Sequence, residues 1–339
     1  MIRRSTLLTL LVLLAASCGS GDVGGDTTTA PSATTTTAAT TTTASTSTTT
    51  TTSLPPTPLE ELGYPVSNDW VVETVIAGID SGTGGLAIDA DGVLYQGDFG
   101  YPDHVGDRVY RIQPDGTVET FASVLEMQSL TMTTFGPDGT LYQSSYGSDH
   151  VFAISPDGEV EIIADDIRGP TGIVILDDGT LVVESYDTNT LYRIPPGGEP
   201  EEWVFDRRFN GTNGLALDPD GIIYVIDFKD GGLFSVDQEG TVEKIHKFPK
   251  PTSHGVYFDG WLYITSRGGY VVYRYEIATG YAEIIAGNGE PGESDGRGSE
   301  SAFGRPNAIT VSPDGTLYIN HGSGFDNDPV TIKRITYSP

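Results

Sequence analysis

From residue 70 onward, short runs of alternating apolar and polar residues recur along the chain, and each pair of runs is joined by an Asp-Gly turn. The stretch NGLALDPDGIIYVID, residues 213–227, shows the pattern: one run enters a turn at Asp220-Gly221 and a second run leaves it. Alternation with a period of two is typical of half-buried strands, and Asp-Gly supplies the positive φ angle that a tight hairpin requires. The pattern therefore predicts a β-hairpin.

Six copies of this hairpin pattern follow one another. The aspartates of their turns are Asp91, Asp138, Asp178, Asp220, Asp259 and Asp314, which gives spacings of 47, 40, 42, 39 and 55 residues. A third strand-like run follows each hairpin, such as VYRI at residues 109–112, and a fourth run, such as VETFA at residues 118–122, follows in all copies except the last. Periods of about 40 to 50 residues that hold several short strands are typical of propeller blades. The sequence predicts an all-β, six-bladed β-propeller with four-stranded antiparallel blades.

The sixth copy ends with its third strand, TIKRI at residues 331–335, at the C-terminus. A fourth-strand run, VVETVIAG at residues 71–78, instead precedes the first copy. We therefore predict that the N-terminal strand completes the last blade, because this pairing covers two sheet edges that would otherwise be open. The propeller domain is predicted to span residues 69–339, and residues 70–339 show no helical periodicity of useful length.

The first twenty residues, MIRRSTLLTLLVLLAASCGS, have the features of an export signal. Two arginines are followed by an apolar run at residues 7–16, which is too short for a membrane span of about 20 residues. LAASC resembles the bacterial lipobox, although Ala15 stands where that pattern usually has Leu. The resemblance implies a signal peptide over residues 1–17, diacylation of Cys18, and an exported protein anchored to the cell membrane, at the cell surface or in the periplasm. Cys18 is the only cysteine, so an intramolecular disulfide is excluded.

Between this signal and the propeller lies a segment of low complexity. Of the 31 residues from 27 to 57, 18 are Thr, and none is charged or aromatic. Such a segment buries too little apolar surface to offset the entropy lost on ordering. We predict that residues 18–68 form a disordered tether, and Thr/Ser/Pro tracts of this kind are frequent substrates for O-glycosylation.

The charge of the chain restricts its partners. There are 47 acidic and 18 basic residues, giving a formal net charge of -29. Because affinity for phosphate backbones comes largely from Lys and Arg, this composition argues against a nucleic-acid partner. A strongly negative surface favours a soluble, self-repelling domain. The expected partners are a small molecule or a protein on one face of the propeller, and the membrane through Cys18.

The connection AGNGEPGESDGRGSESAFGRPNAITVSPDGTLYI, residues 286–319, resembles an NHL repeat. Residues 70–339 as a whole resemble NHL-type propellers and their relatives, the regucalcin/gluconolactonase group. The DG-x-LY signal is specific for this superfamily but not for one function, because such propellers include lactonases, lyases and proteins that only bind other molecules. Two functions stay open: a module that binds a ligand or partner, and a metal-dependent lactonase or lyase.

A candidate site follows from the hairpin geometry, because the start of a blade's first strand and the end of its second strand lie on the same face. Aligned on the turn, the residues just before the first strands are Gly84, Thr131, Thr171, Asn213, His254 and Asn307. The residues at the ends of the second strands are Asp98, Ser145, Ser185, Asp227, Ser266 and His321. We expect the first set to ring one end of the central channel. The predicted binding residues are Thr171, Asn213, His254, Asn307 and His321.

The resemblance to the gluconolactonase group implies a divalent cation such as Ca²⁺ at this position, held by a Glu, two Asn and an Asp from different blades. Asn213, followed by a glycine, matches that pattern, whereas Asn307 is followed by Ala308 and matches less well. None of the six ring residues is acidic, although tight calcium binding requires charged oxygen ligands. A metal site therefore requires Glu184, one residue before the end of a second strand, to reach inward.

His254 and His321 indicate a different chemistry. Imidazoles titrate near neutral pH and can act as general base and acid, and the resemblance implies such a histidine in related lyases. His254 is the candidate catalytic residue. The alternative is that both histidines are neutral and hydrogen-bonded at loop ends, and that Asp98 and Asp227 accept backbone N–H bonds from the following loops.

A long loop, residues 287–305, carries the acidic residues Glu290, Glu293, Asp295 and Glu300. Because it precedes the first strand of the last blade, we expect it to border the same end of the channel. It is predicted to act as a lid or a weak cation trap, or to be a solvated glycine-rich connection.

Overall fold

A computed structural model describes residues 55–100, 105–322 and 329–339 of the chain. The predicted signal peptide, Cys18 and most of the predicted tether lie outside the described residues. The described chain starts with a short helix, α1 (Pro58–Leu62), and a long strand, β1 (Trp70–Ile79). None of the helices in the described parts of the chain has the length and apolar character that crossing a membrane requires.

Five blades are each built from four consecutive antiparallel strands. Blade 1 contains β2 (Thr83–Ile88), β3 (Leu94–Asp98), β4 (Arg108–Ile112) and β5 (Val118–Ser123). Blade 2 contains β6 (Leu130–Phe135), β7 (Leu141–Ser145), β8 (His150–Ile154) and β9 (Val160–Ala164). Blade 3 contains β10 (Pro170–Ile175), β11 (Leu181–Ser185), β12 (Thr190–Ile194) and β13 (Glu201–Phe205). Blade 4 contains β14 (Thr212–Leu217), β15 (Ile223–Asp227), β16 (Gly232–Val236) and β17 (Val242–Lys247). Blade 5 contains β18 (Gly255–Phe258), β19 (Trp261–Ser266), β20 (Val271–Glu276) and β21 (Ala282–Ala286).

Blade 6 joins the two ends of the described chain. After a two-residue strand, β22 (Gly296–Arg297), and one 3₁₀ turn at Gly298–Glu300, the chain forms β23 (Arg305–Val311), β24 (Leu317–Gly322) and β25 (Val330–Tyr337). The sheet order is β22-β1-β25-β24-β23. In the antiparallel β1/β25 pair, Val72 lies opposite Ile335. The predicted six-bladed propeller and its closure by the N-terminal strand are therefore confirmed, and β22 adds a short fifth strand outside β1.

The repeated turns have the predicted backbone geometry. The glycines of all six Asp-Gly pairs have positive φ angles between 80° and 86°: Gly92, Gly139, Gly179, Gly221, Gly260 and Gly315. In blade 4 the Asp218 carboxylate accepts the N–H groups of Asp220 and Ile222 at 3.0 and 2.9 Å, which fixes the turn. Blade 5 has a shorter turn, in which Asp259 also has a positive φ of 48°. Each hairpin thereby brings the start of its first strand beside the end of its second.

The hydrophobic core lies between neighbouring blades. One buried cluster combines Val182 and Leu191 of blade 3 with Leu215 and Phe234 of blade 4. Another combines Trp70 of β1 with residues of blades 5 and 6. The first strands of successive blades contact one another around the whole ring, including those of blades 6 and 1. This packing holds the six first strands rigidly around the central channel.

Packed structure begins before residue 69, in a segment that we name the N-terminal strap (residues 55–69). Thr57 caps α1, because its hydroxyl accepts the N–H of Glu60 at 3.3 Å. Leu62 is only 5% exposed and packs in the cluster of blades 4 and 5. The Tyr64 hydroxyl lies 2.7 Å from Nε2 of His246 in blade 4. The strap overlaps the end of the predicted tether, so residues 55–68 carry packed structure where a disordered segment was predicted: Leu62 is buried against the propeller, whereas Pro55 and Pro56 are exposed.

Candidate functional site

The starts of the six first strands surround one end of the central channel, which we name the mouth. Side chains there bond to the neighbouring blade. Thr131 Oγ1 donates to the carbonyl of Pro170 at 2.9 Å, and Thr171 Oγ1 donates to the carbonyl of Thr212 at 3.2 Å. Asn307 Nδ2 donates to the carbonyl of Thr83 at 2.7 Å, which joins blades 6 and 1. Thr131, Thr171 and Asn307, which sequence analysis placed at the mouth, thus connect neighbouring blades.

A second set of bonds joins Asn213 to Asn307 through a serine. Asn213 Nδ2 donates to the Ser253 hydroxyl at 3.2 Å, and that hydroxyl donates to Oδ1 of Asn307 at 2.7 Å. The guanidinium of Arg267 donates to the same Oδ1 at 3.2 Å. We name this chain of bonds the mouth network; it crosses blades 4, 5 and 6. Sequence analysis had not assigned Ser253 or Arg267 a role.

Burial decides which mouth residues a ligand from solvent can reach. Thr171 and His254 are each 2% exposed, Asn307 is 5% exposed, and His321 is fully buried. Asn213 remains half-buried, as does Arg267. A molecule that approaches this face therefore meets Asn213 and Arg267, whereas the other predicted binding residues lie beneath the surface.

Blade 1 has a glycine at the mouth because its backbone touches that of blade 2. A Cβ atom added to Gly84 would lie 2.3 Å from the Gly97 carbonyl oxygen and 2.4 Å from that of Leu130. A carboxylate side chain at this position would require the two blades to move apart. The acidic ligand that the family resemblance implies is therefore sterically excluded here.

Glu184 lies apart from the mouth network. It is fully buried, and neither carboxyl oxygen has a hydrogen-bond partner among the described residues. Its side chain lies against Gly172, since a Cβ added there would be 2.9 Å from Oε2. Burial raises the pKa of Glu184 well above its ordinary value, and the negative charge of Asp227 acts in the same direction. Burial between blades 3 and 4 thus disfavours the charged form of this carboxyl group.

These residues do not fit a divalent cation. Within residues 55–100, 105–322 and 329–339, His, Cys, Asp and Glu side chains form no group of three or more suited to a metal ion. The amide oxygen of Asn307 already accepts bonds from a hydroxyl and a cationic guanidinium. A metal ion bound to that oxygen would also be repelled by the positive charge of Arg267.

The two histidines are both neutral at physiological pH. Burial, together with the smaller effect of the Arg267 charge, lowers the pKa of His254 to about 3. Burial, together with the smaller effect of the Lys333 charge, likewise lowers the pKa of His321 to about 3. Nδ1 of His321 accepts the N–H of Gly304 at 3.1 Å. A histidine with so low a pKa is a weak base, because it takes up a proton poorly near pH 7.

The aspartates at the ends of second strands accept backbone N–H groups, as in the structural alternative. Asp98 Oδ1 accepts the N–H groups of Gly82 and Gly100 at 2.7 and 2.8 Å. Asp227 Oδ1 accepts the N–H of Asn210 at 3.0 Å. Burial raises the pKa of Asp227 to about 7 despite this bond. Both side chains anchor the loop that enters the first strand of their own blade, and Asp98 also holds Gly100 in the loop that follows it.

The long loop at residues 287–305 packs on the outer edge of blade 6, which corrects the expectation that it borders the mouth. Its strand β22 pairs with β1, the outermost long strand of that blade. The buried ammonium of Lys333 donates to the carbonyls of Glu293 and Ser294 at 2.7 and 2.9 Å and to Asp295 at 3.0 Å. These loop oxygens therefore hold a lysine of the same chain in place of a metal ion.

Below the mouth, the central channel contains a cavity of about 310 Å³. All six first strands contribute to its wall, which includes Leu86, Met132, Val174, Leu215, His254 and Ile309. His254 lies at the mouth end of this wall, and the remaining residues lie further along the strands. The cavity thus extends away from the mouth, towards the Asp-Gly turns.

A row of aromatic residues on the mouth face lies one residue beyond the second strands. Phe99, Tyr146, Tyr186 and Phe228 occupy this position in blades 1 to 4, and we name them the aromatic arc. Neighbouring ring centroids are 6.5, 5.9 and 6.5 Å apart along the arc. All four side chains are half-buried. Sequence analysis missed the arc, although the same alignment on the turns, read one column further, shows it.

Arg267 occupies the equivalent position in blade 5 and extends the arc. Its guanidinium carbon lies 6.0 Å from the ring centroid of Phe228. The ammonium of Lys229 lies 4.7 Å from the ring centroid of Tyr186. Cations at these distances are attracted to the negative faces of aromatic rings. Arg267 thus connects the aromatic arc with the mouth network.

Comparison with models of known families and with curated protein sequences gives no match for this chain. Several solved structures resemble it closely in fold. An auxiliary nutrient binding protein from Bacteroides ovatus has a TM-score of 0.63 and 16% identity, over 80% of this chain and 77% of that one. A gluconolactonase from Xanthomonas campestris has a TM-score of 0.59 and 17% identity, over 78% and 89% of the two chains. A virginiamycin B lyase from Staphylococcus aureus has a TM-score of 0.55 and 14% identity, over 79% and 99%.

The shared feature is the fold. The predicted resemblance to gluconolactonase-like propellers is confirmed at that level, and the neighbours include both enzymes and a binding protein. At these identities the likeness shows the six-bladed architecture alone. What the protein does must be argued from its own mouth residues.

Proposed function

We propose that the protein is an exported, lipid-anchored propeller that binds a small-molecule ligand on its mouth face. The observation that carries the proposal is the Arg267 guanidinium bonded to the amide oxygen of Asn307. In a metal-dependent lactonase this end of the channel would hold a cation. Here a side-chain cation stands beside the oxygen that such a metal would use, so binding is favoured over metal-assisted hydrolysis.

The distribution of exposed groups supports the same function. The exposed part of the mouth face offers donors and acceptors on Asn213 and Arg267 beside the aromatic arc. Sites for small molecules commonly combine apolar rings with a few fixed polar groups that orient the ligand. The mouth network holds Asn213 and Arg267 before a ligand arrives. Export and anchoring through Cys18 are part of the proposal and rest on the lipobox resemblance.

The competing function, a lactonase or lyase, is tested with a chain that begins at residue 55. Its metal content is measured before and after a chelator wash, and its hydrolysis of glucono-lactone is assayed with added Ca²⁺, Mn²⁺ and Zn²⁺. We expect no stoichiometric metal and no turnover above the uncatalysed rate. Retention of one metal ion per chain, with lactone turnover that Asn213→Ala abolishes, would show that the enzyme function is correct.

Binding is measured directly as thermal stabilisation, since a ligand that binds only the folded state raises the melting temperature. The probes are neutral sugars, sugar acids, aromatic acids and short peptides, each at millimolar concentration. We expect at least one class to stabilise the wild-type chain and to stabilise Arg267→Ala much less. If no class stabilises the wild-type chain, the proposed binding function is wrong.

A further inference from the structure

We propose that the aromatic arc is a saccharide-binding surface, at which sugar rings contact the differently oriented rings of Phe99, Tyr146, Tyr186 and Phe228. This inference rests on the proposed binding function and adds the chemical class of the ligand. The arc residues are less buried than the aromatic residues of the core. Phe209 and Phe248, which fill the core, are 2% and 1% exposed, whereas all four arc side chains are half-buried. The arc rings therefore keep part of their apolar surface towards solvent in four consecutive blades.

The rings of Tyr146 and Tyr186 are held in place by close packing. A Cβ atom added to Gly169 would lie 2.9 Å from the ring of Tyr146, and one added to Gly211 would lie 2.9 Å from the ring of Tyr186. Both glycines have positive φ angles, 54° and 59°, in the loops that enter the first strands of the next blades. Each ring thus lies against a glycine of the neighbouring blade. A rigid, partly exposed aromatic side chain provides contact area at a low cost in conformational entropy.

Polar side chains stand beside these rings. Arg168, Asp187, Asn210 and Lys229 are all exposed, and each is next in sequence to an arc residue or to one of the two glycines that pack against the tyrosine rings. A sugar ring has apolar C–H faces and hydroxyl groups around its edge. Aromatic faces next to exposed hydrogen-bond donors and acceptors match both parts of such a ligand, because the rings cover its faces and the polar side chains bond its hydroxyls.

Other ligand classes fit less well. A cationic ligand would be repelled by the positive charges of Lys229 and Arg267, which lie near the rings of Tyr186 and Phe228. A nucleotide would bring phosphate charge to a chain with a formal net charge of -29. A neutral polyhydroxylated ring meets neither obstacle. Because the arc extends over four blades, we expect a chain of sugars to bind more tightly than one sugar.

The test is calorimetric titration of the chain that begins at residue 55 with oligosaccharides of increasing length from cellulose, starch, xylan and chitin. We expect affinity for one of these series to rise with length. Tyr186→Ala and Tyr146→Ala should each raise Kd by roughly tenfold, equivalent to about 1.4 kcal/mol. Tyr186→Phe, which keeps the ring, should change Kd by less than about twofold. The matched control is Tyr281→Ala, which should leave Kd unchanged. Tyr281 is an exposed tyrosine that directly precedes the outer strand of blade 5, at the face opposite the mouth.

Each outcome separates this inference from the proposed function. If an oligosaccharide binds equally well to wild type, Tyr146→Ala and Tyr186→Ala, the arc is not the site, although the mouth-face binding function can stand. If no oligosaccharide binds but an aromatic acid does, with loss in both alanine variants, the arc binds flat aromatic ligands and the saccharide class is wrong. If no probe of any class binds, the binding function itself fails. Melting temperatures of all variants show whether each chain is folded.

Discussion

The guanidinium of Arg267 in blade 5 donates a hydrogen bond to the amide oxygen of Asn307 in blade 6, with 3.2 Å between nitrogen and oxygen. The same oxygen accepts the Ser253 hydroxyl, and the amide nitrogen of Asn307 reaches the carbonyl of Thr83 in blade 1. One asparagine side chain thus connects three blades. The side chain of Asn307 therefore has a structural role at the mouth.

Asn307→Ala should lower the free energy of unfolding by about 1–3 kcal/mol, because the buried Ser253 hydroxyl and Thr83 carbonyl lose their partner. Denaturant unfolding measures the change. The matched control is Asn213→Ala, which removes one bond from a half-buried side chain and should cost less than about 1 kcal/mol. Equal losses in the two variants would contradict the central place of Asn307 in the mouth network.

Gly221→Val should destabilise the propeller by roughly 1 kcal/mol or more, because a β-branched residue is unfavourable at a positive φ angle. Gly221 has a φ of 82° in the turn of blade 4. Asp220→Asn, at the preceding position, is the control and should leave the melting temperature nearly unchanged. A Gly221→Val chain as stable as wild type would mean that the turn tolerates a different backbone geometry.

Stepwise removal of the N-terminus should separate the strap from β1. A chain that begins at residue 55 keeps both and should melt like the longer protein. A chain that begins at residue 70 loses the strap and with it the burial of Leu62, which is worth about 1.5–3 kcal/mol for a fully buried leucine. Thermal unfolding of the two chains measures the difference, and identical melting would show that the strap contributes nothing.

A chain that begins at residue 79 also loses most of β1 and exposes the edge of β25. Open sheet edges pair with other chains, so we expect association or failure to fold. Size-exclusion chromatography distinguishes this chain from the one that begins at residue 70. A stable monomer from residue 79 would be incompatible with a structural need for ring closure.

Asp227 should make the protein less stable as the pH rises from its ordinary pKa of 3.8 towards neutrality, whereas His254 and His321, whose pKa values are lowered to about 3, act in the opposite direction. Burial raises the pKa of Asp227 from 3.8 to about 7, so the native state keeps a proton that the unfolded chain releases at lower pH. Between these values the native state binds more protons, and the free energy of unfolding decreases with pH, by at most about 1.4 kcal/mol per pH unit for this group. The contribution is complete below the unfolded value and lost above about 7.

Asp227→Asn should remove this contribution, so between about pH 4 and 7 the slope of the unfolding free energy against pH should become more positive than in wild type. An asparagine keeps an oxygen for the N–H of Asn210 and does not titrate. Unfolding free energies measured by urea titration at a series of pH values provide the test. Asp91→Asn, at an exposed turn, is the control and should retain the slope. Burial also raises the pKa of Glu184, so Glu184 contributes to the dependence of stability on pH in the same direction as Asp227. Glu184→Gln should remove that contribution. If the slope of unfolding free energy against pH is the same in Asp227→Asn and wild type, the pKa of Asp227 is not raised in the native state.

Cys18→Ser should prevent acylation and processing of the signal peptide. Metabolic labelling with a fatty acid measures the modification, and the label should disappear from the variant while wild type retains it. A label that persists in the variant would show that the lipobox interpretation is wrong. Cys18 is the only cysteine, so the change affects no other thiol.

The sequence by itself determined the six blades, their turns and the closing strand. Strand alternation and the Asp-Gly turn depend on residues that are neighbours in the chain, so each repeat shows them locally. Closure by residues 71–78 followed because the last copy lacked its fourth strand, and β1 pairs with β25 as expected. Alignment of the six copies on their turns also identified the mouth residues. The next position in the same alignment, one residue beyond the second strands, holds Tyr146 and Tyr186.

Only the tertiary structure decided what those side chains contact. Asn307 bonds to residues of blades 5 and 1, Lys333 donates to the loop at Glu293, and Tyr64 reaches His246 of blade 4. Glu184 was a possible metal ligand from its position, yet packing buries it fully, and neither of its carboxyl oxygens has a partner among the described residues. These partners lie tens to hundreds of residues apart in sequence. Their choice depends on how blades pack around the ring, and the local repeat that forms each blade carries no information about that packing.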